Sequence, residues 1–529
     1  MPELKINKLR ENVFFIFALL YVLFIPYSEA LVSITAVLLM FQSIVLSSWK
    51  HPSVKERNPL SLLLIISIFG IYLTGLLYTE DLAFGIYELK KVSFWIVLPV
   101  AFYFSPRLNE KRFYVLLLLF CFAVLVASLI AFGRLVFSGH FHFNNFREMT
   151  VISHIRFSIQ VVLASIIITY FLIAGKKLPF KINVNVLILV LIWFAVFLIL
   201  LKALTGLMAF IGTGMVVLTI FILRIKKKQK RAISIVFLIL LFLVPVLYFG
   251  FVWVKFYSIE KLEPEKVEKY TASGNPYYFN FSSTEKENGN WVKAYINEKE
   301  LRQEWNKRSE AKYDTLDKNG YPYSATLIRY LTSKGLRKDS AGVSKLNDSD
   351  IVAVQNGIAN YIYADNGFSI YPRVYQVIWE LDRYLSSGNP NFQSISQRIE
   401  FLKASVVLIQ KNPWLGIGTG NWKIKYAEVY KEMDSKLIPE NQGPAHNQYF
   451  NYLVKFGIIG FVAIYSMLIV PVFLEGNKRN LMLWLFFVAF AIANLSDANF
   501  ETHMGLTFFC FFYSLFLWHS PLKMKTLRI

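Results

Sequence analysis

Apolar runs separated by short polar connections recur along the chain, and one long polar stretch, residues 256–447, interrupts them. A helix needs about 20 mostly apolar residues to span a bilayer. Runs of this kind centre near residues 20, 38, 69, 98, 125, 165, 193, 214, 243, 461, 488 and 511, which predicts about twelve transmembrane helices. The expected fold is therefore an all-α polytopic membrane protein in three parts. Residues 1–255 form an N-terminal membrane bundle of about nine spans, 256–447 a large external loop region, and 448–529 a C-terminal bundle of about three spans.

The external region carries helical signals of its own. NEKELRQEWNKRSE and SATLIRYLTSKGL read as helices, and NDSDIVAVQNGI places Asn, Asp and Ser as caps before helix-spaced Ile351, Val354 and Ile358. SQRIEFLKASVVLIQKNPWLGIG spaces Ile399, Leu402, Val406 and Ile409 on one face, predicting a helix that lies along the membrane surface or packs on the bundle.

Composition agrees with the pattern. With 55% hydrophobic and 17% charged residues among 529, and a mean hydropathy of +0.44, the chain falls outside the soluble range. A net charge of +21 would suggest nucleic acid in a soluble protein. Here the basic residues sit in short clusters after alternate spans, where they set topology. They include Lys50, Lys55 and Arg57; Arg107, Lys111 and Arg112; Lys176, Lys177 and Lys181; RIKKKQKR at 224–231; Lys478 and Arg479; and Lys523, Lys525 and Arg528. The alternation predicts both termini inside the cell and the 256–447 region outside. Lys5, Lys8 and Arg10 before the run from Val13 read as the flank of an uncleaved first span. Cys121 and Cys510 lie inside apolar runs, which implies neither a disulfide framework nor a thiolate metal site.

On this topology the polar residues that border spans gather on the outer side. They are His154 and Arg156 in SHIRFS, Lys202 and Thr205 in LLKALTG, Arg398, His446, and Asp497, Glu501 and His503 in SDANFETHMG. An ionisable group at membrane depth costs about 2.5 to 3.5 kcal/mol on insertion scales, so such groups line a cavity or find a partner. Each also has a plainer reading. Arg156 and Lys202 can snorkel to the interface. His446 can be an interfacial cap, Asn447 and Gln448 can satisfy backbone donors at a helix start, and Glu501 and His503 can be turn residues. GIGTG, 416–420, follows an amphipathic helix rather than a strand, so it reads as a turn and not a nucleotide loop. The chemical reading is that basic side chains cradle a phosphate while a histidine moves a proton. Arg offers phosphate a bidentate fork, and a helix N-terminus favours neutral imidazole, the form that acts as a base. With no nucleotide fold and no metal-ligand cluster in the sequence, the reading calls for no cofactor and for an already activated substrate.

NPWLGIGTGNWKIKYAEVY followed by AHNQYFNYLVKFGIIGF resembles the hallmark region of the O-antigen ligase and O-antigen polymerase family of bacterial membrane glycosyltransferases. SHIRFS, LLKALTGL, RYLTSKGLRKDSAGV, QRIEFLKA and NFETHMGLTFF resemble the forms seen in Bacteroidetes-type members. The resemblance implies a GT-C-like enzyme of the bacterial inner membrane with its site facing the periplasm. It would take a glycan from undecaprenyl pyrophosphate to an acceptor hydroxyl, most simply lipid A-core, without metal or nucleotide sugar and with inversion. By the same resemblance His446 in AHNQ is the expected catalytic base and Arg156, Lys202 and Arg398 contact the pyrophosphate. His154, Asn447, Glu501 and His503 are expected to serve the acceptor or the structure. One departure stands out. Many members carry Ser-Arg-Thr-Gly where this chain has Ala203-Leu204-Thr205-Gly206, so Lys202 would have to supply the missing charge, and a point charge does not replace a bidentate fork. A repeat-unit polymerase or a protein O-oligosaccharyltransferase shares this chemistry. A glycolipid flippase is the non-enzymatic alternative, disfavoured by the one-sided charges and the absence of visible repeats.

Overall fold

A computed structural model describes residues 2–137, 143–174, 183–259, 262–317, 320–364 and 369–521. Lys176, Lys177, Lys181, Lys523, Lys525 and Arg528 lie outside the described residues. The chain divides into two compact units, Met1–Ala232 together with Gln397–Ile529, and Ile233–Ser396.

In chain order the helices are α1 (Pro2–Phe24), α2 (Glu29–Val45), α3 (Pro52–Lys55), α4 (Pro59–Thr74), α5 (Leu82–Lys91), α6 (Phe94–Tyr103), α7 (Glu110–Phe137), α8 (His154–Ala174), α9 (Val184–Leu201), α10 (Leu204–Leu223) and α11 (Lys228–Tyr257). There follow α12 (Glu298–Arg308), α13 (Tyr323–Ser333), α14 (Ser340–Ser344), α15 (Asp348–Gln355), α16 (Tyr371–Ser387), α17 (Ser394–Lys411), α18 (Trp422–Glu432), α19 (Gln448–Leu474), α20 (Leu481–Ala493) and α21 (His503–Trp518). Each of the twelve apolar centres falls inside a helix: α1, α2, α4, α6 to α11, and α19 to α21. Among the described residues, α7 to α11 and α19 are long and apolar enough to cross a membrane; α2, α4, α20 and α21 are shorter apolar helices. The protein is an all-α polytopic membrane protein.

The first unit is built around α21, whose residues Met504 to Trp518 are all buried. A helix apolar all round, such as LTFFCFFYSLFLW, belongs in the middle of a bundle. Tyr21 of α1 stacks on Phe511 at 4.1 Å, and Phe120 of α7 and Phe486 of α20 meet Phe512 and Phe509 at 4.7 and 5.4 Å. In lipid the hydrophobic effect does not draw helices together, so close ring packing of this kind holds the bundle. The two ends of α4, α19 and α21 differ chemically. At one, Glu475 accepts from Ser61 and Trp518 at 2.6 and 3.1 Å. At the other, Tyr72, Lys455 and Glu501 meet, and this end carries the candidate site.

The second unit has a core of Trp305, Leu327, Tyr330, Leu331, Val343 and Val354. NEKELRQEWNKRSE and SATLIRYLTSKGL form α12 and α13, and Asn347 caps α15 in a capping box with Asp350. A minimal hairpin, β1 (Lys286–Glu287) with β2 (Asn290–Trp291), turns through Asn288-Gly289. Both turn residues have positive φ, as a two-residue hairpin turn demands.

α17 is helical where predicted, and the two sides of its apolar surface differ in burial. Phe401, Ala404 and Leu408 are buried with Ile417, Tyr426 and Tyr430, whereas Leu402 and Val406 are exposed. Of the stripe read from the sequence, Leu402 and Val406 face outward and Ile409 packs partly against this core, while the stripe of Phe401, Ala404 and Leu408 makes the main packing contact.

Candidate active site

The glycine loop is the first piece of local construction. α19 breaks at Gly457, where φ is 62° and ψ −168°, a conformation open essentially to glycine alone. In an unbroken helix the N–H groups of Ile458 and Ile459 would bond the carbonyls of Val454 and Lys455. They bond instead to the carbonyls of Pro413 and Trp414, at 2.8 and 3.2 Å. The freed carbonyls of Val454 and Lys455 accept from Ile417 and Gly418, both at 2.9 Å. Loop and helix thus exchange backbone partners, which is how a helix break remains satisfied at membrane depth. Gly416, at φ 68°, lies with its Cα directly against the Lys455–Phe456 backbone, so a side chain there would collide with main chain. On the loop's other side the Thr419 hydroxyl donates to the Tyr72 carbonyl at 2.6 Å. GIGTG is thus a structural wedge between α4 and α19.

Val454 and Lys455, whose carbonyls the wedge holds, also line a cavity of about 270 Å³ formed by residues of α5, α8, α18, α19, the segment just before α19 and the turn after α20. His446 stands at its lip, just before α19. Asn447 caps that helix, its side chain accepting from the N–H groups of Tyr449 and Phe450 at 2.9 and 3.2 Å. The His446 side chain is 54% exposed, and its Nδ1 lies 4.0 Å from Asp497 Oδ1. Its ring leans on Phe401 at 5.7 Å. Burial, with the positive charges of Arg398 and Arg156, holds its pKa below the ordinary 6.5, against an upward pull from Asp497. A neutral imidazole near neutral pH follows.

Arg156, in the first turn of α8, binds Asp497 and also donates to Asn499 Oδ1 at 2.7 Å, both through Nη1. The Arg156 and Asp497 side chains are only 11% and 9% exposed. Gln448 clamps the same turn: its N–H donates to the Asn494 carbonyl, and its Oε1 accepts from the Phe500 N–H at 2.8 Å.

Deeper in, Lys455 of α19 donates to Glu501 at 2.6 Å and to Glu88 at 3.0 Å. Lys91 donates to the other Glu88 oxygen at 2.7 Å, and the Tyr72 hydroxyl to Glu501 at 3.0 Å. Buried charges persist only when paired in this way. Asn451, one turn before Lys455 and only 6% exposed, also lines the cavity; its side-chain oxygen is buried without a hydrogen-bond partner. An amide oxygen left so costs about 1–3 kcal/mol. Trp422 and Tyr426 of α18 supply aromatic walls.

The structure therefore brings His446, Arg156, Asp497 and Glu501 to one cavity, with Arg398 close enough to act on His446 electrostatically. His154 opens α8 two residues before Arg156 but does not line the cavity. Lys202 is the left-handed cap of α9, at φ 50°, and its carbonyl accepts from Arg147 at 2.5 Å; it is not a lining residue. His503 faces away, bonding Ser33 at 2.8 Å and meeting Phe94 edge-on. Sequence reasoning missed Lys455, Glu88, Lys91 and Asn451. A lone lysine inside the apolar run YLVKFGIIGF was a usable signal, whereas Glu88 and Lys91 belong to an ordinary amphipathic stretch. Among the described residues no group of three or more His, Cys, Asp or Glu side chains is arranged to hold a metal ion.

Residues 351–465 match the model of a family described as O-antigen ligase (Wzy_C). The matched segment contains Arg398, the glycine wedge, His446, Asn451 and Lys455. A Haemophilus influenzae (strain ATCC 51907 / DSM 11121 / KW20 / Rd) protein named only as uncharacterized is 24% identical over 184 residues. That stretch spans 35% of this chain and 40% of the relative's length.

Proposed function

We propose that the chain, whose residues 351–465 match the O-antigen ligase family, transfers a glycan from undecaprenyl pyrophosphate to a hydroxyl of lipid A-core. The family match supports the coarser part of this reading, a lipid-linked glycan transferase of O-antigen processing. The observation that carries the finer reading is His446, half-exposed at the mouth of a cavity and flanked by a carboxylate and two guanidinium groups.

In the proposed step the acceptor hydroxyl oxygen attacks the anomeric carbon while His446 takes its proton. The bond from that carbon to the pyrophosphate oxygen breaks, and the diphosphate leaves with the electron pair. A single displacement of this kind inverts the anomeric configuration. Asp497, facing Nδ1, orients the imidazole and stabilises the imidazolium. The diphosphate is assigned to Arg398 and to the Nε/Nη2 edge of Arg156, since both bonds of Arg156 to Asp497 and Asn499 use Nη1. Lys202, off the cavity, is assigned no direct contact. In this reading the protein sits in the inner membrane with both termini cytoplasmic and the cavity open to the periplasm.

The test is a deletion strain whose glycolipids are separated by size. Long glycans stranded on undecaprenyl pyrophosphate beside bare lipid A-core support ligation. Core capped with single repeat units means a polymerase instead, and an unaltered profile refutes the proposal.

A further inference from the structure

We propose that the inner half of the cavity is a subsite for one neutral pyranose ring, with Asn451 and Glu88 bonding its hydroxyls and Trp422 and Tyr426 covering its C–H face. The proposal rests on the transferase reading and assigns to a sugar a region that reading leaves without a role.

Charge is the first argument. The inner wall carries Lys91 and Lys455 against Glu88 and Glu501, and every one of these groups is engaged with another. With its cations matched, this wall offers nothing to an anionic phosphate and its carboxylates repel one. Uncharged hydroxyls are a different matter. A carboxylate has about four acceptor positions, and Glu88 meets two ammonium groups, one on each oxygen, leaving capacity for a donor.

Asn451 is the second, independent argument. Its side chain is more than nine-tenths buried, lines the cavity, and has an oxygen with no partner. A sugar hydroxyl both donates and accepts, so it can satisfy either end of an amide; an ionised phosphate oxygen only accepts. The amide can therefore bond a hydroxyl through either end, whereas an ionised phosphate would leave its oxygen unpaired.

Size and shape agree. The whole cavity, about 270 Å³, lies near the low end, about 300 Å³, of small-molecule sites, so it takes about one ring, with the rest of a glycan extending out past His446. Trp422 and Tyr426 give that ring an aromatic surface beside polar groups, the combination that small-ligand sites use to fix orientation. His446 stands at the outer end, so a ring held here presents a hydroxyl or its anomeric carbon to the base.

The ring can come from the acceptor or from the donor glycan, and the experiment separates them. Purified full-length protein in lipid nanodiscs is titrated with core oligosaccharide released from lipopolysaccharide, with released O-glycan, and with inorganic pyrophosphate. We expect one of the two sugars to bind, and Asn451→Leu and Trp422→Ala each to weaken that binding tenfold or more while pyrophosphate binding changes less than twofold. Core oligosaccharide as the ligand makes this the acceptor subsite; O-glycan makes it the donor-sugar subsite. Two variants on different helices guard against misfolding in one, and retained pyrophosphate binding reports a folded site. Unchanged sugar affinity in both variants overturns the subsite, as does absence of sugar binding by a wild-type protein that still consumes lipid-linked glycan. A wild type that neither binds nor consumes that glycan overturns the transferase reading, and the subsite with it.

Discussion

The carboxylate of Asp497 lies 4.0 Å from Nδ1 of His446 while its second oxygen is held by Arg156, from a helix 341 positions earlier in the chain. One acidic side chain thus couples the proposed base to the proposed phosphate ligand. Asp497→Asn keeps the shape and removes the charge. We expect turnover to fall at least about tenfold but by no more than the roughly 10²–10⁴ that a positioned base contributes in full, with donor affinity retained. A steady-state assay beside a donor-binding titration checks this.

The acid limb of the activity profile should lie below pH 6.5, because burial and the charges of Arg398 and Arg156 hold His446 below that value. The base works only when neutral, so the rate is full above its pKa and is lost as pH falls through it. Arg398→Gln removes one of the lowering charges and should move that limb to higher pH. A pH–rate profile of both proteins reads the direction.

Lys455→Met should destabilise the folded protein strongly. It leaves Glu88 and Glu501 facing each other in a buried site, and breaking such a cluster costs about 3–5 kcal/mol. Adding Glu501→Gln removes one orphaned charge and should recover part of the loss. Thermal unfolding of the detergent-purified single and double variants gives the comparison.

Gly457→Ala should lower the melting temperature and the yield of folded protein. A non-glycine residue held in this glycine-only region costs about 1–3 kcal/mol, and the new methyl would run into the Trp414 backbone. Gly133→Ala, in α7 with open space around it, is the control and should leave folding intact.

Much of this architecture was readable in advance, for a physical reason. Membrane helices must satisfy their backbone internally and face lipid with apolar side chains, so all twelve centres found helices. The cap of α15 was equally legible because Asn347 acts within a few residues of itself. The buried face of α17 was not, since Ile399, Leu402, Val406 and Ile409 and the opposite stripe of Phe401, Ala404 and Leu408 are both apolar, and only the partner surface chooses between them. The site was half-legible. His446 and Arg156 border spans and draw attention alone, but Glu88, Lys91 and Asn451 acquire meaning only when α5 and α19 come together. GIGTG illustrates the same limit. Gly416 is required by the backbone of α19 beside its break at Gly457, and Gly418 and Gly420 by the close approach of Gly75, Thr79 and Asp81, not by anything local.

The central claim is that His446 is the base, and it is tested most directly with His446→Ala purified and reconstituted beside wild type. Binding of the lipid-linked donor and transfer to lipid A-core are measured on the same preparation. We expect donor affinity within twofold of wild type and transfer reduced by about 10²–10⁴. Full transfer by the variant would contradict the assignment, and lost donor binding with the remaining chemistry intact would make His446 a ligand for the donor instead.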